Sequence, residues 1–284
     1  MTKFYVKDCP EKSTLFNWIS QDLDFDSAKK DVKRSYDTDE LIELTHNYDV
    51  EEIKKITLEC LDTYGFKGWQ TNRGNISAYG GLSIVYNPDI KESVDPNQST
   101  LGTAINNLSE FFYGSMEKFN SPRNTYFDSY AFRKLSPAIK GSKLKEFIDD
   151  FDLSPTRSRI ALLDGSYHSK VGEEFLWHKD EEIFENLRIN IPLTTDQCFL
   201  FQLENRDPVH LEVGKFYTWD THLPHRVYMN NTTETKRVHL VLGFMPWIDY
   251  ISDDDAFVPN KYFGKVHPFD ILFNKFANKK IGLK

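Results

Sequence analysis

The hydrophobic positions of this chain follow two different periods, and the change comes near Arg157. Before this residue, apolar side chains recur every three or four positions, which predicts helices that bury one face. After it, short apolar or alternating runs are separated by turn residues, which is typical of β-strands. The first half is therefore predicted to be mainly helix and loop, and the second half mainly strand.

Helices are predicted at three places in the first half. One covers Val50 to Tyr64, because Asp49 can cap its N-terminus and Gly65 can end it. A second covers Leu101 to Phe119, where apolar residues form one helical stripe. A third follows Ser142, which can also act as an N-cap. All three are predicted to pack against a sheet.

Strands are predicted mostly after Arg157, in short runs bounded by turn residues such as Asp207-Pro208 and Gly214. Seven or eight such strands predict a fold that is mainly β with flanking helices, built on a double-stranded β-helix, the cupin-like jelly roll. The run Tyr79 to Tyr86 also predicts a strand, because it lacks the Gly-Lys-Ser/Thr ending of a phosphate-binding loop. The later predicted strands are Arg159–Leu163, Asn186–Leu193, Cys198–Leu203, Val209–Val213, Phe216–Trp219, Val227–Asn230 and Lys236–Phe244.

Three regions follow from these patterns. Residues 1–150 are predicted to be a mixed helical and loop region that packs on the core, and residues 151–245 the double-stranded β-helix that carries the chemistry. Residues 246–284 form a tail that is dense in aromatic residues, which predicts a packed lid or a dimer surface. The aromatic residues of this tail are Trp247, Tyr250, Phe257, Tyr262, Phe263, Phe269, Phe273 and Phe276.

Composition narrows the class of protein. The chain has 284 residues, 39% of them hydrophobic, so it can bury a sizeable core. Its formal net charge of -8 opposes binding to a polyanion, so nucleic acid is not an expected partner. The longest mostly apolar run, Val238 to Ile248, is too short to span a bilayer, and Met1 to Thr14 lacks the apolar segment of a signal peptide. We therefore expect a soluble cytoplasmic protein.

Cysteine usage agrees with that compartment. Cys9, Cys60 and Cys198 are far apart, odd in number and without the spacing of a metal site. A disulfide framework is therefore not expected. Free thiols also suit a reducing compartment.

The candidate chemistry lies in His178-Lys179-Asp180, followed much later by His225 and then by Arg237. Two imidazoles and one carboxylate can cap one face of an octahedral Fe(II), leaving three positions open for a co-substrate and O2. His178 and Asp180 occupy alternate positions of an extended segment, so both side chains can face the same side. Arg237 offers a planar, permanently charged fork for the far carboxylate of a keto-acid. The spacing predicts a metal site beside a 2-oxoglutarate site.

The sequence around these residues resembles a known family. The segments Trp177–Asp180, Glu185–Leu193, Asp220–Val227 and Lys236–Leu242 are similar, in order, to the aspartyl/asparaginyl β-hydroxylase and proline cis-hydroxylase branch of the Fe(II)/2-oxoglutarate dioxygenases. The resemblance covers roughly residues 157 to 244. It implies Fe(II), 2-oxoglutarate as co-substrate, and O2. It also implies hydroxylation of an unactivated C–H bond in an amino acid or an Asp, Asn or Pro residue, with release of succinate and CO2.

The resemblance also assigns roles to residues. It makes His178, Asp180 and His225 the metal ligands, with His222 left as the alternative to His225. The expected small-molecule or peptide substrate would bind beside them. The resemblance therefore implies that the three metal ligands are also the catalytic residues.

Two arginines are assigned to ligand binding. The resemblance implies that Arg237 binds the distal carboxylate of the co-substrate and that Arg188 helps to hold the keto-acid or an acidic group of the substrate. Relatives carry Arg-x-His on the strand after the first ligand, whereas this chain has Asn190 in place of the histidine.

Other functions remain open at this point. A zinc-dependent hydrolase could use the same His, Asp and His residues with a metal-bound water, but Arg237 would then lack a purpose. A non-catalytic jelly-roll binding or structural protein would not need the three ligands. An oxygenase that acts on nucleic-acid bases is disfavoured by the acidic charge balance.

Overall fold

The computed structural model describes residues 2–11, 13–33, 40–65, 67–70, 76–88, 128–166, 177–276 and 279–281. The described α-helices are α1 (Leu15–Asp22), α2 (Phe25–Asp31), α3 (Val50–Tyr64), α4 (Lys143–Asp149) and α5 (Pro268–Lys275).

The described strands lie on both sides of residue 150, with the two longest, Ser154–Asp164 and Lys236–Met245, after it. They are β1 (Phe4–Tyr5), β2 (Ile42–Leu44), β3 (Lys67–Gln70), β4 (Ile76–Ser83), β5 (Val85–Tyr86), β6 (Lys134–Leu135), β7 (Ser154–Asp164), β8 (Leu187–Thr194), β9 (Phe199–Leu203), β10 (Phe216–Thr218), β11 (His225–Met229), β12 (Lys236–Met245), β13 (Ile248–Ile251), β14 (Ala256–Pro259) and β15 (Lys279–Ile281). The protein is therefore mainly β with helices and antiparallel sheets.

Two of the predicted helices are present with their predicted caps. The Asp49 side chain accepts a hydrogen bond from the Glu52 N–H at 3.1 Å and so begins α3. Gly65 ends α3 at a φ of 71°, a conformation that glycine adopts without a steric penalty. Ser142 caps α4 by accepting from the Lys145 N–H at 3.4 Å. The helix predicted over residues 101–119 lies outside the described residues.

The main sheet has eight described strands in the order β15-β2-β10-β8-β12-β7-β4-β3. Strand β12 lies near its centre, with β7 on one side and β8 on the other, both antiparallel to it. Strands β2 and β4 come from the first 150 residues, yet they pair in this same sheet. Residues 1–150 thus contribute strands to the core sheet as well as helices that pack on it.

The two faces of the main sheet differ in chemistry. Leu240 on β12 lies between Ile160 on β7 and Ile191 on β8, and all three belong to the main hydrophobic core with the helices. His239, the next residue, lies between Ala161 and Pro192 and faces the other way, because side chains alternate along a strand. The second face also carries the buried side chains of Arg188, Asn190 and Arg237.

A two-stranded ribbon of β9 and β11 covers this polar face. Leu163 on β7 packs with Phe199 and Met229 of the ribbon, and Tyr217 on β10 packs with Phe201. We call the space between the polar face of β8 and β12 and the β9–β11 ribbon the cup. It holds the residues that the sequence singles out for chemistry.

The strand predicted over Val209 to Val213 is reduced to a single bridge. Val209 and Phe201 exchange two backbone hydrogen bonds of 2.8 Å, after which the chain leaves the ribbon. Gly214, at a φ of 83°, donates its N–H to the Pro192 carbonyl of β8 at 2.9 Å. This turn toward β8 ends the pairing with β9.

The aromatic tail packs inside the chain. The rings of Trp247, Phe257, Phe269, Phe273 and Phe276 are buried and belong to the main hydrophobic core. Strand β14 of the tail pairs with β1, so this part of the tail contacts the N-terminal segment. The expectation of a lid or dimer surface therefore rests on the less buried rings, such as Tyr250 and Tyr262, and stays a prediction.

Among the described residues, no helix has both the length and the apolar character that a membrane crossing requires. The three cysteines are free thiols, and each is buried.

Packing at the centre of the main sheet gives the first prediction. Phe244 on β12 is fully buried and stacks on Phe151 with ring centroids 4.7 Å apart. Phe244→Ala should therefore lower the free energy of unfolding by about 3–5 kcal/mol. Val213 is 42% exposed, so Val213→Ala should change it by less than about 0.5 kcal/mol. Urea unfolding followed by circular dichroism measures both, and equal effects of the two substitutions would contradict the described core.

Candidate metal centre

A backbone pair brings the two histidines together. The His178 N–H donates to the His225 carbonyl at 3.1 Å, and the His225 N–H donates to the His178 carbonyl at 2.9 Å. Residues opposite one another in an antiparallel pair project to the same side. The two imidazole centroids are consequently 4.4 Å apart, although the residues are distant in the sequence.

Asp180 joins the pair through the same extended segment. Its N–H donates to the Thr221 carbonyl at 2.9 Å, which keeps the segment beside the loop that leads into β11. Its Oδ2 lies 3.6 Å from His225 Nε2. One ligand atom from each of His178, Asp180 and His225 lies within 4.8 Å of the others. Small side-chain rotations would bring all three to one ion at ligand distances of about 2.1 Å.

The surroundings of His225 leave one of its ring nitrogens available to a metal ion. It is 3% exposed, and its Nδ1 lies 2.9 Å from the Leu223 carbonyl oxygen. A proton on Nδ1 donates to that carbonyl and leaves the Nε2 lone pair free for a metal. The ring of Trp219 meets the imidazole edge to face, with centroids 5.5 Å apart, and restricts its rotation.

The Asp180 carboxylate is held in its ionised form. Burial alone would raise its pKa, but the guanidinium of Arg188 and the imidazoles of His225 and His178 outweigh burial and hold the pKa well below its usual value. Arg188 reaches it through an ion pair from Nη1 to Oδ2. An ionised carboxylate is the form that binds a metal.

His222 does not join this group. It is exposed, and its Nδ1 lies 3.4 Å from the backbone oxygen of Asp180. Among the described residues, the group that could hold a metal is formed by His178, Asp180 and His225. Of the two histidines considered from the sequence, His225 is the one whose ring meets His178.

Arg237 and His239 lie on β12 inside the cup. Arg237 is 7% exposed and donates from Nη2 to His239 Nδ1 at 2.9 Å. His239 is fully buried, and its burial together with the positive charge of Arg237 holds its pKa well below the usual value. The neutral ring accepts at Nδ1 and therefore carries its proton on Nε2.

Three donors at the cup are unmatched. His239 Nε2, Trp219 Nε1 and Arg188 Nε are all buried, and none of them meets a hydrogen-bond partner in the part of the chain that the structure describes. A buried donor without a partner costs free energy, so these atoms are suited to a polar guest. The described residues of the cup thus leave some of its buried hydrogen-bond donors without an acceptor.

Arg188 lies on β8 with its guanidinium between two carboxylates. Nη1 forms an ion pair with Asp180, and Nη2 donates to Glu181 Oε2 at 2.8 Å. The side chain is 5% exposed. The role expected from the sequence, holding the keto-acid or an acidic substrate group, stays a prediction.

Sequence reasoning missed the charged residues that surround Glu181. Glu181 forms an ion pair with Arg157, whose guanidinium lies over the Phe132 ring at 5.3 Å. Glu185 and Asp128 lie close to this group, and burial raises the pKa of Glu185 to about 7 and that of Asp128 to about 6. The available signal was the position of Glu181 directly after a candidate ligand. The partners of this group lie far apart in sequence and could not be paired by pattern.

A cavity of about 590 Å³ opens beside Asp180. Helices α1 and α2 line one side of it, and the segment that follows Asp180 lines the other. Its polar lining includes Asp24, Lys29, Glu182 and His222. This cavity gives a small molecule or an extended peptide room next to a candidate metal ligand.

No family model matches the chain, and no curated protein matches it. Several solved structures are similar in shape over most of the chain. One is the non-haem, α-ketoglutarate-dependent carbocyclase SnoK from nogalamycin biosynthesis, with 11% identity, coverage of 82% of this chain and 87% of SnoK, and a TM-score of 0.35.

Two further structures have similar scores. A prolyl hydroxylase from Trichoplax adhaerens, in complex with a hypoxia inducible factor peptide, has 10% identity, coverage of 83% and 95%, and a TM-score of 0.34. The auxin-oxidising dioxygenase AtDAO1 of Arabidopsis thaliana, bound to 2-oxoglutarate, has 12% identity, coverage of 84% and 90%, and a TM-score of 0.36. TM-scores this low do not establish a shared function. The functional assignment of this chain depends on the geometry of its own site.

The raised pKa of Glu185 predicts how stability depends on pH. Its usual value is 4.5 and its folded value about 7, so between these values the folded state binds more protons than the unfolded state. The free energy of unfolding therefore falls as pH rises through this window. Glu185→Gln should remove up to about 3 kcal/mol of that fall. Urea unfolding at pH 5 and pH 8 measures the difference between the two free energies of unfolding, and Glu182→Gln, at an exposed residue, is the control. The same difference in the parent and in Glu185→Gln would refute the prediction.

Proposed function

We propose that this protein is an Fe(II)- and 2-oxoglutarate-dependent dioxygenase. In this proposal it hydroxylates an unactivated C–H bond of an amino acid or of an Asp, Asn or Pro residue in a peptide. The observation that carries the proposal is the convergence of His178, Asp180 and His225 within 4.8 Å, with Arg237 buried in the adjoining cup. Two histidines and one carboxylate with open positions are the ligand set of non-haem Fe(II) oxygenases.

The ligand residues fit a divalent ion of this class. Asp180 is ionised, and His225 presents Nε2 because Nδ1 is engaged with a carbonyl. His178 is exposed, which leaves the site accessible from outside the cup. The three donors come from one side of the centre, so the opposite side is available for the co-substrate and O2.

The cup fits a dicarboxylate co-substrate. Arg237 supplies a permanent positive charge, and the buried Nε2–H of His239 supplies a donor that has no protein partner among the described residues. In the proposed complex, Arg237 binds the distal carboxylate, and the apolar walls of the cup, including Phe201 and Leu163, exclude water. When bound, iron would supply the oxidising chemistry with 2-oxoglutarate and O2 as co-substrates: one oxygen atom of O2 goes to the hydroxyl group of the product and the other to succinate, with release of CO2.

The proposal includes a closed jelly roll. The main sheet and the β9–β11 ribbon enclose the cup from two sides, which is the arrangement that a double-stranded β-helix requires. In that fold, β11 carries His225 and β12 carries Arg237 on neighbouring walls of one cavity. The substrate would reach His178 and Asp180 through the cavity beside α1 and α2.

Anaerobic titration tests the site. Fe(II) and 2-oxoglutarate added together should produce a visible metal-to-ligand charge-transfer band in the parent protein. His225→Ala should abolish the band, because one of the three donors is lost. Arg237→Ala should keep the band but raise the Kd for 2-oxoglutarate by about 10–100-fold, because a charged hydrogen-bond donor is lost.

Arg206 provides the matched control for this titration, since it is an exposed arginine outside the cup. Arg206→Ala should reproduce the parent's band and affinity. If His225→Ala and Arg237→Ala also behave like the parent, the assignment of the site is wrong.

Turnover separates this proposal from a zinc-dependent hydrolase at the same ligands. With an amino-acid or peptide panel, the protein should release succinate only when Fe(II), O2 and 2-oxoglutarate are all present. His178→Ala should lose this activity, because the iron site is incomplete. Succinate measured by enzymatic assay reports the result. Substrate cleavage with Zn(II), independent of 2-oxoglutarate, would support the hydrolase instead.

A further inference from the structure

A series of four alternating charges, three of them buried, leads to the half-buried Asp180, the candidate metal ligand. Arg157 pairs with Glu181, Glu181 pairs with Arg188, and Arg188 pairs with Asp180. The side chains of Arg157, Glu181 and Arg188 are 4%, 10% and 5% exposed. We call these four residues the charge ladder. Ion pairs this deeply buried need good geometry to offset the loss of hydration, so their arrangement is tightly specified.

The ladder begins at an irregularity in the main sheet. Arg157 on β7 has a φ of 43°, a left-handed conformation that is uncommon for a residue with a side chain. The pairing of β12 with β7 shifts register between Val241 and Gly243, opposite this point. At this break in the strand pairing, the Ser158 hydroxyl accepts a hydrogen bond from the Gly243 N–H at 2.9 Å and takes the place of a backbone acceptor. A bulge changes the direction in which a side chain leaves the strand. Here the residue at the bulge is Arg157, whose side chain is buried.

Glu181 is fixed from several directions. Beyond its two arginine partners, Oε2 lies 3.3 Å from Asn186 Nδ2. Its backbone oxygen accepts a hydrogen bond from Thr221 Oγ1 at 2.7 Å. A carboxylate with this many partners has little freedom to rotate, so it can act as a fixed anchor. It is also the residue directly after Asp180.

Arg188 divides its guanidinium between the anchor and the ligand. Nη2 donates to Glu181 Oε2 at 2.8 Å, while Nη1 holds Oδ2 of Asp180. A planar guanidinium can hold two acceptors in a fixed relative orientation. Because Glu181 occupies one arm, Arg188 bonds Asp180 through a single carboxylate oxygen and limits the rotation of that carboxylate.

We propose that Arg188, anchored by Glu181 and Arg157, is a positioning residue that fixes the Asp180 carboxylate for metal binding. This inference rests on the proposed function, because it assumes that Asp180 is a metal ligand. It assigns to Arg188 a task different from binding the co-substrate. Without the negative charge of Glu181, the guanidinium of Arg188 is drawn more strongly to Asp180 and competes with the ion for its oxygens.

The test is Mn(II) binding to the metal-free protein, measured by electron paramagnetic resonance without 2-oxoglutarate. Glu181→Gln should raise the Kd for Mn(II) by about 10-fold or more, as is typical when a residue that orients a metal ligand is lost. Glu59→Gln is the matched control, because Glu59 is a glutamate on α3, outside the candidate site, that is 62% exposed and pairs with Lys55. Its effect should stay within about 2-fold.

A double-mutant cycle shows whether Glu181 acts through Arg188. In an Arg188→Gln background, Glu181→Gln should change the Kd for Mn(II) by less than about 2-fold, because the group it anchors is gone. If the full effect persists in that background, Glu181 acts on the ion directly by charge and the inference is overturned. Arg188→Gln should also leave the Kd of the Mn(II) protein for 2-oxoglutarate, measured by calorimetry, within about 3-fold. A rise of about 10-fold or more would make Arg188 a co-substrate residue and also overturn it.

Conservative variants guard against loss of folding, which circular dichroism monitors. Glu181→Asp keeps the charge but shortens the reach to Arg188, so it should weaken Mn(II) binding; unchanged binding counts against the inference. The parent and His225→Ala separate this result from the proposed function. If the parent does not bind Mn(II) through His225, the proposed function fails. If it does and Glu181→Gln binds equally well, only the positioning role fails.

Discussion

The backbone pair between His178 and His225 is the constraint on which the candidate site depends. Its two hydrogen bonds, of 3.1 and 2.9 Å, fix the start of β11 against the segment that carries Asp180. Because residues opposite one another in an antiparallel pair project to the same side, this pairing places the two imidazole centroids 4.4 Å apart. The pair also sets the spacing: Asp180, two residues on, returns to the same side as His178. A slip of one residue in this pairing would turn one ligand away.

The apolar face of the main sheet stabilises the fold enough to offset the cost of burying polar side chains in the cup. One face of β8 and β12 is apolar and is covered by the helices, so the fold is stabilised there. The other face can then carry Arg188, Arg237 and His239, whose burial is unfavourable unless their polar atoms are paired. Most of those atoms pair within the protein, whereas His239 Nε2 and Arg188 Nε do not in the described part of the chain. Because one face of the sheet is apolar and the other polar, the buried polar atoms of these strands that lack hydrogen-bond partners among the described residues lie at the candidate site.

Local sequence signals predicted the elements that depend on local physics. The caps of α3 and α4 are confirmed, because Asp49 and Ser142 bond backbone groups three residues away. The alternation on β12 likewise indicated a side chain of Arg237 that shares a face with His239. Sequence could not supply the pairing of β2 with β10, or the contact of Arg157 with Glu181, since neither residue pattern specifies a distant partner. The same holds for the tail, whose rings were readable as apolar but not as buried in the core.

The central claim is that three named side chains bind one ion. Anomalous diffraction at the manganese edge, from crystals of the protein grown with Mn(II), tests it most directly. The account predicts one strong peak bonded to nitrogens of His178 and His225 and to an oxygen of Asp180, at about 2.0–2.3 Å, with further positions open toward Arg237. A peak bonded to other residues, or none at this site while Mn(II) binds elsewhere, would contradict the account.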